Sequence, residues 1–113
     1  MIKIKISKIH NKGVFAEKKI KKNTEIAFFE GHEISQNTAC SLTLDGIRIE
    51  PTGKLKHLNH SCIPNSIFKG RWLKSLRDIM PDEEITIDYS STEEIITHHF
   101  ICNCRQKECR KNI

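Results

Sequence analysis

Turn-forming residues divide this chain into short segments, and that division restricts the folds open to it. In the first segment Ile2, Ile4 and Ile6 alternate with lysines, which is the period of two expected of a half-buried β-strand. The turn signals that follow are Gly13, Gly31, Gly53 and the pairs at residues 45–46, 69–70 and 81–82. The sequence therefore predicts short strands rather than long helices.

Further strands are predicted at residues 25–29, 41–44, 46–49, 66–68, 71–79 and 84–88. One helix is predicted at residues 92–100, with Ser91 as its N-cap and Glu94 completing a capping box. We expect a mainly β fold with several small sheets in one domain. A domain of 113 residues with 37% hydrophobic residues has a modest core, and a metal or a partner subunit often stabilises such a fold.

The apolar residues of the chain indicate a soluble intracellular protein. Those of the first segment alternate with lysines, unlike a signal peptide, and no apolar run approaches the length of a membrane span. Five cysteines without a secretory signal favour thiols or thiolates over disulfides. We therefore expect no membrane partner.

The charged residues occur in blocks. Residues 1–24 contain eight lysines and one acid, residues 54–77 contain six basic residues and no acid, and residues 78–94 contain seven acids and no Lys or Arg. A nucleic-acid-binding protein usually presents a basic face without such an acidic block. We also see no regular interleaving of aromatic with basic residues. Direct nucleic-acid binding is therefore not expected, and the lysine runs are interpreted as solvated faces.

The cysteines near the end of the chain provide the first chemical signal. Cys102, Cys104 and Cys109 form a C-x-C-x4-C cluster, and three thiolates so close in sequence suit a tetrahedral zinc ion. A closed structural site needs a fourth ligand, for which Cys62, Cys40 and the histidines are candidates. The alternative is a reduced tail with incidental cysteines.

Two further segments are informative only in combination. NHSCIPN, residues 59–65, places Asn59, His60 and Asn65 around a proline turn, and DEEITIDY, residues 82–89, ends in the only tyrosine of the chain. Taken singly, a histidine is more often structural than a ligand, and Tyr89 is more often a packed strand residue than a catalyst.

In this order, these segments resemble the SET methyltransferase family. HNKGVFA (residues 10–16) is similar to its glycine-containing cofactor loop, and FFEGHEIS (residues 28–35) to the following strand and turn. NHSCIPN, LRDIMPDEEITIDY (residues 76–89) and the cysteine cluster resemble its core and its post-SET extension. The resemblance implies a SET-domain fold with several small sheets, a pseudoknot-like threaded C-terminal segment and one short helix. It divides the chain into a SET domain (1–98) and a zinc-binding post-SET tail (99–113) of the same compact unit.

The resemblance also implies ligands for a cofactor and a metal. Zinc would be bound by Cys62, Cys102, Cys104 and Cys109, which leaves Cys40 without a role. S-adenosylmethionine would be bound by the backbone around Lys12, Gly13 and Val14, together with Asn59 and His60. Asn11 replaces the first glycine of the family's loop, and asparagine tolerates the left-handed conformation better than most residues.

The implied reaction is methyl transfer to a lysine side chain. Tyr89 matches the family's active-site tyrosine, whose hydroxyl orients the reacting groups. Phe29, Ile87 and Tyr89 would line the lysine channel, where Phe29 and Ile87 replace the tyrosine or phenylalanine of many relatives. Both changes make the channel less polar.

The implied partner is a lysine-containing basic protein such as a histone tail, which the acidic residues around Tyr89 would attract. A cytoplasmic or a nuclear, chromatin-associated location would suit that role, and a second copy of the chain could complete the substrate groove. Two alternatives remain open. One is a catalytically silent SET fold that binds peptides or chromatin. The other is a zinc-stabilised nucleic-acid-binding module, suggested by the pI of about 9.0.

Overall fold

The computed structural model describes residues 1–9, 11–36, 42–44 and 46–88. Within these ranges it contains ten strands and one short 3-10 helix, and none of its helices is long and apolar enough to cross a membrane. The strands are β1 (Ile2–Ile6), β2 (Lys12–Ala16), β3 (Glu25–Phe28), β4 (Gly31–Glu33), β5 (Leu42–Leu44), β6 (Ile47–Pro51), β7 (Asn59–His60), β8 (Ser66–Lys69), β9 (Trp72–Ser75) and β10 (Glu84–Ile87), and the 3-10 helix is Lys54–His57.

The largest sheet joins segments that are far apart in the sequence. Its strand order is β1-β2-β10-β7. The isoleucine–lysine alternation of β1 forms an antiparallel ladder with β2, from Ile2 opposite Ala16 to Ile6 opposite Lys12. Strand β10 pairs antiparallel with β2 and parallel with β7. A parallel pair needs a long crossover, and here the crossover contains β8 and β9.

Two smaller antiparallel sheets complete the described fold, with strand orders β3-β9-β8 and β4-β6-β5. Their tight turns occur where the sequence predicts them. Gly46 follows β5 with φ 76°, and Gly70 joins β8 to β9 with φ 61°. Asp82, at φ 64°, occupies the predicted turn before β10. Positive φ values of this kind suit glycine and are tolerated by aspartate.

The core lies between the sheets and is formed by aliphatic residues with one aromatic ring. Ile85 and Ile87 of β10 and Val14 of β2 are fully or almost fully buried. Complete burial of a side chain of this size contributes about 1.5–3 kcal/mol. The other buried apolar residues are Ala16, Ile20, Ile26, Phe29, Leu42, Leu44, Ile49, Leu55, Leu58, Leu73 and Ile79. The core therefore packs directly against the sheet that contains the predicted cofactor motif.

The predicted mainly β fold with several small sheets is confirmed. The predicted strand at residues 71–79 is shorter, ending at Ser75. The Ser75 hydroxyl donates to the Lys21 carbonyl at 2.6 Å and accepts from the Thr24 amide at 2.9 Å, which ties this end of β9 to the turn before β3. Between Ser75 and β10, Ile79 forms an isolated bridge with Ile20.

Strands β2, β4 and β7 were not predicted, and the turns expected at Gly13 and Gly31 are wrong. Both glycines lie inside strands, where a neighbour occupies the space of a side chain. A Cβ at Gly31 would lie 2.7 Å from Cγ2 of Ile49 on the paired strand β6. The helix at 92–100 and the tail at 99–113 lie outside the described residues. The threaded C-terminal segment and the division at residue 98 stay predictions.

Candidate active site

The predicted cofactor residues lie on adjacent strands of the four-stranded sheet. Strand β7 consists of Asn59 and His60, which lie opposite Thr86 and Ile87 of β10. On the other side of β10, Ile85 lies opposite Val14 of β2. The structure therefore brings the segment Lys12–Ala16 and the Asn-His pair to the two edges of one short strand.

Asn59 connects these two strands directly. Its side-chain amide donates to the Lys12 carbonyl at 3.0 Å and to Oε2 of Glu84 at 2.8 Å. The side chain is almost completely buried, with the residue 5% exposed. Because a buried amide is costly to leave unpaired, these bonds fix the Asn59 rotamer and the path of the backbone just before Gly13.

Glu84 belongs to the same junction, although the sequence did not predict it there. Its second carboxylate oxygen accepts from the Ser7 hydroxyl at 2.7 Å, so one side chain joins the residue after β1 to Asn59 of β7. A Cβ at Gly13 would lie 2.9 Å from Cδ of Glu84 and 3.1 Å from Nδ2 of Asn59. The close approach of this carboxylate therefore requires glycine at position 13. The Ser7–Glu84 contact could not be predicted, because the sequence contains no signal that pairs these two residues.

Asn11, the residue in place of the family's first glycine, has φ 37°. It lies in the left-handed region that the sequence analysis expected asparagine to tolerate there. Its carbonyl accepts from the Ser7 amide at 2.8 Å, closing the turn between β1 and β2. The replacement of glycine by asparagine is therefore compatible with the geometry of this loop.

His60 is buried between a thiol and a carboxylate. The residue is 2% exposed, its Nε2 lies 3.3 Å from Sγ of Cys62, and its Nδ1 lies 3.7 Å from Oδ1 of Asp88. These contacts hold the plane of the imidazole ring. His60, itself a predicted cofactor residue, thus contacts Cys62, the predicted zinc ligand.

Asn65 joins the NHSCIPN turn to β10. Its Oδ1 accepts from the Thr86 amide at 2.9 Å and from the Ser66 hydroxyl at 3.1 Å, and its Nδ2 donates to the Glu84 carbonyl at 2.8 Å. The residue is 2% exposed. Asn65 therefore acts as a structural clamp that keeps β10 beside the Asn-His pair.

The acids before Tyr89 are largely engaged within the chain. Asp82 contacts Lys3 and Lys5, and a hydrogen bond from Lys3 followed by the charges of both lysines lowers the pKa of Asp82. Burial raises the pKa of Glu83, but hydrogen bonds from Arg77, the Met80 amide and Asn65 outweigh that effect and lower it overall. These contacts, with those of Glu84, give the acidic block a structural role in the fold.

The two predicted channel residues that the structure describes are both core residues. Phe29 is completely buried and lies edge-on to Phe68, with ring centroids 5.5 Å apart. Ile87 is 1% exposed and belongs to the same hydrophobic cluster. Tyr89 lies outside the described residues, so a channel formed by these three side chains stays a prediction.

The zinc site also stays a prediction. Of its four predicted ligands only Cys62 is among the described residues, and its thiol is partly buried beside His60. Cys102, Cys104 and Cys109 lie outside them, as does Cys40. Within the described ranges no group of three His, Cys, Asp or Glu side chains could hold a metal.

The SET domain family model matches residues 11–90 of this chain. The match covers β2 to β10 and all the described contacts of Asn59, His60 and Asn65. The chain belongs to the SET domain family.

Curated relatives and solved structures agree with this assignment. The chain is 31% identical to the H3 lysine-4 specific histone-lysine N-methyltransferase of Neurospora crassa and 30% identical to that of Schizosaccharomyces pombe, over 96% and 92% of its length. It spans only 10% and 14% of those proteins.

Among solved structures, a candidate histone methyltransferase of Plasmodium falciparum is 30% identical, with a TM-score of 0.62 over 79% of this chain and 96% of the other. The methyltransferase domain of human SETMAR superposes with a TM-score of 0.75 over 98% of this chain and 57% of the other. At 18% identity, the second match shows a shared fold.

Proposed function

We propose that this SET domain transfers a methyl group from S-adenosylmethionine to the side-chain amine of a lysine in a basic protein. The observation that supports this most is the contact of Asn59 with both the Lys12 carbonyl and Glu84, which joins the two predicted cofactor segments. Neither segment is specific alone. Their convergence beside β10 gives the family's cofactor motif a rigid base.

The residues at this junction fit the proposed cofactor. Lys12, Gly13 and Val14 would offer backbone donors and acceptors, while Asn59 and His60 would hold the cofactor from the neighbouring strand. Gly13 keeps the strand surface free of a side chain because Glu84 and Asn59 already fill the space beneath it. When bound, S-adenosylmethionine supplies a methyl group made electrophilic by its sulfonium.

The chain's own residues would prepare the acceptor lysine. A lysine amine has an ordinary pKa of about 10.4 and must lose a proton before it can attack. Apolar surroundings disfavour the charged ammonium, since burial removes it from water. Phe29 and Ile87 would supply that apolar wall, and the Tyr89 hydroxyl would orient the amine. Positioning for an in-line displacement would provide much of the rate.

The proposed substrate is a histone tail or a similar basic segment. Curated relatives from several fungi are named as H3 lysine-4 specific enzymes, and we carry over to this chain only the class of substrate. Since histones are nuclear, we propose a chromatin-associated location if the cell is eukaryotic. The product state would depend on the channel around Ile87, and a second copy of the chain could complete the groove.

We further propose one structural zinc ion bound by Cys62, Cys102, Cys104 and Cys109. Cys62 is two residues from His60, and its thiol already contacts the ring. Zinc would therefore order the tail next to the proposed cofactor site. Metal binding would contribute directly to the folding of the tail.

The cofactor proposal is tested by titration calorimetry with S-adenosylmethionine. We expect saturable binding at one site per chain in the wild type and a loss of affinity of at least about tenfold in His60→Ala, equivalent to about 1.4 kcal/mol. Lys56→Ala, an exposed change on the 3-10 helix, is the matched control and should bind normally. Absence of binding to the wild type would contradict the enzyme proposal and favour a silent peptide-binding module.

A further inference from the structure

The outer face of the β3-β9-β8 sheet presents two neighbouring aromatic rings to solvent. Phe28 at the end of β3 lies opposite Trp72 of β9, and the residues are 41% and 43% exposed. The rings are edge-on, with centroids 5.3 Å apart. Exposed aromatic residues clustered in this way, rather than scattered singly, indicate a binding surface.

Basic residues surround this aromatic pair. Lys69 of β8 lies opposite Trp72 and is exposed, and Lys74 follows two residues after Trp72 on the same face. The Arg71 guanidinium lies 4.7 Å from the centroid of the Phe28 ring and donates to the Phe29 carbonyl at 2.6 and 3.0 Å. Arg71 is therefore a rigid cation beside the rings, not a freely moving side chain.

The charge of this face is positive. Three cations lie on it or at its edge, namely Lys69, Arg71 and Lys74. One acid, Glu25, lies opposite Lys74, so the cations outnumber the acid. Glu30, the next acid along the chain, lies beside Gly53, whose Cβ would be 3.7 Å from the Glu30 Cβ. A partner for this surface should therefore combine negative charge with flat apolar groups.

We propose that this aromatic–basic face, formed by Phe28, Lys69, Arg71, Trp72 and Lys74, binds single-stranded nucleic acid. Unpaired bases stack on exposed aromatic side chains, while lysine and arginine neutralise the phosphates. Lys69, Arg71, Trp72 and Lys74 are close together in the sequence, whereas Phe28 reaches Trp72 from a different strand, so the aromatic pair is evident only in the fold. An acidic peptide satisfies the cations but offers the rings much less, so the two exposed aromatics favour nucleic acid.

This proposal concerns a sheet other than the one with the cofactor motif, and it does not depend on methyl transfer. The aromatic–basic face lies on β3, β8 and β9, whereas Gly13, Asn59 and His60 lie on β2 and β7. Phe28 faces solvent on this sheet, whereas the next residue, Phe29, is completely buried. Nucleic-acid binding and methyl transfer can therefore be measured separately.

The experiment uses the full chain and two fluorescence signals. A dye-labelled oligo-uridine strand reports binding by anisotropy, and Trp72, the one tryptophan in the sequence, reports stacking by quenching of its own emission. We expect saturable quenching at the same midpoint as the anisotropy change. Stacking of one base on an aromatic ring contributes about 1–3 kcal/mol, so Trp72→Ala or Phe28→Ala should weaken the affinity by roughly 5- to 150-fold.

The control separates this face from general attraction to a chain with a net charge of +5. Lys69→Ala should weaken binding and reduce its salt dependence, because one phosphate contact is lost. Lys56→Ala removes the same charge from the 3-10 helix, which packs against β1 and β2, and should leave the affinity within about twofold if its contribution is only long-range.

Three outcomes would overturn the proposal. The first is binding without tryptophan quenching, and the second is equal weakening by Lys69→Ala and Lys56→Ala. The third is tighter binding of an oligo-glutamate peptide than of oligo-uridine, which would assign the face to an acidic protein. If Trp72→Ala does not fold, Phe28→Ala still tests the proposal. This variant keeps Trp72, whose emission reports both folding and binding.

Discussion

Gly13 lies inside strand β2 because Glu84 and Asn59 occupy the space that a side chain would need. Gly13→Ala should therefore displace the Glu84 carboxylate, weaken both of its bonds and tilt the Asn59 amide. Overpacking of this kind typically costs about 1–3 kcal/mol of stability. We expect a lower melting temperature together with a loss of S-adenosylmethionine affinity of about tenfold or more by calorimetry.

Gly53→Ala is the matched control for that substitution. A Cβ at Gly53 would have ordinary contacts, with Glu30 Cβ at 3.7 Å and Glu30 Cδ at 3.9 Å as the nearest atoms. Its φ of −105° suits any residue. The control should keep its stability and its cofactor affinity. If the two variants bind equally well, the Glu84–Asn59 junction does not support the cofactor site.

Tyr89 provides a test of chemistry rather than binding. Tyr89→Phe removes one hydroxyl and keeps the ring, so the fold and the cofactor affinity should change little. Loss of one preorganised hydrogen-bond donor beside a reacting centre typically lowers the rate by about a hundred- to a thousandfold. We expect this loss in kcat with little change in substrate affinity. Normal single-turnover methyl transfer by Tyr89→Phe would exclude the residue from the mechanism.

Resemblance to a family predicted some residues of the candidate site and could not predict others. Asn59 and His60 belong to a recognisable motif, and the structure places them beside the segment that begins at Lys12. Ser7 and Glu84 are separated by 77 positions, and their hydrogen bond depends on the pairing of three strands. A single sequence does not contain that register. This is why Glu84 was interpreted only as part of an acidic block.

Asn65 attaches β10 to the NHSCIPN turn through its side-chain amide. Asn65→Ala should leave the Thr86 amide and the Glu84 carbonyl without their partners, and each buried group left unpaired costs about 1–3 kcal/mol. We expect chemical denaturation to show a clear loss of stability. Ser66→Ala removes one bond to the same oxygen and should cost about 0.5–1.5 kcal/mol. A smaller effect of Asn65→Ala than of Ser66→Ala would contradict the clamp.

Strands with an alternating apolar pattern were predictable from the sequence. Strands that form only through pairing with another strand were not. β1 has three isoleucines in strict alternation, so the local sequence is sufficient. β7 is only Asn59 and His60, two residues without strong strand preference, and it exists because β10 pairs with it. β2 was missed since Gly13 suggested a turn, although its role there is to admit Glu84.

The charge pattern could be interpreted only at the scale of the whole molecule. In the linear sequence the acidic block suggests a surface that attracts a basic substrate. In the fold, Asp82 lies against Lys3 and Lys5, and Glu83 lies against Arg77. The same folding brings Phe28 beside Trp72 and exposes both near lysines. The acidic segment is thus partly neutralised, while the β3-β9-β8 sheet keeps an aromatic and basic surface.

The zinc proposal concerns the assembly of the whole chain. We expect one zinc ion per chain by elemental analysis of the purified protein, with most of it lost in Cys104→Ser. Cys40→Ser is the matched control and should retain the metal. Removal of zinc by a chelator should lower the stability of the tail, because binding and folding are coupled. Full zinc occupancy in Cys62→Ser would show that the fourth ligand is another residue.

Transfer of a labelled methyl group to lysine would demonstrate the proposed reaction itself. The zinc-supplemented protein would be incubated with S-adenosylmethionine labelled on its methyl group and with a panel of histones and other basic proteins, followed by mass spectrometry of the products. We expect label on a lysine side chain of at least one basic protein, and much less label with His60→Ala at a cofactor concentration that does not saturate the wild type. A wild-type protein that binds S-adenosylmethionine but labels no lysine in the panel would contradict the proposed reaction.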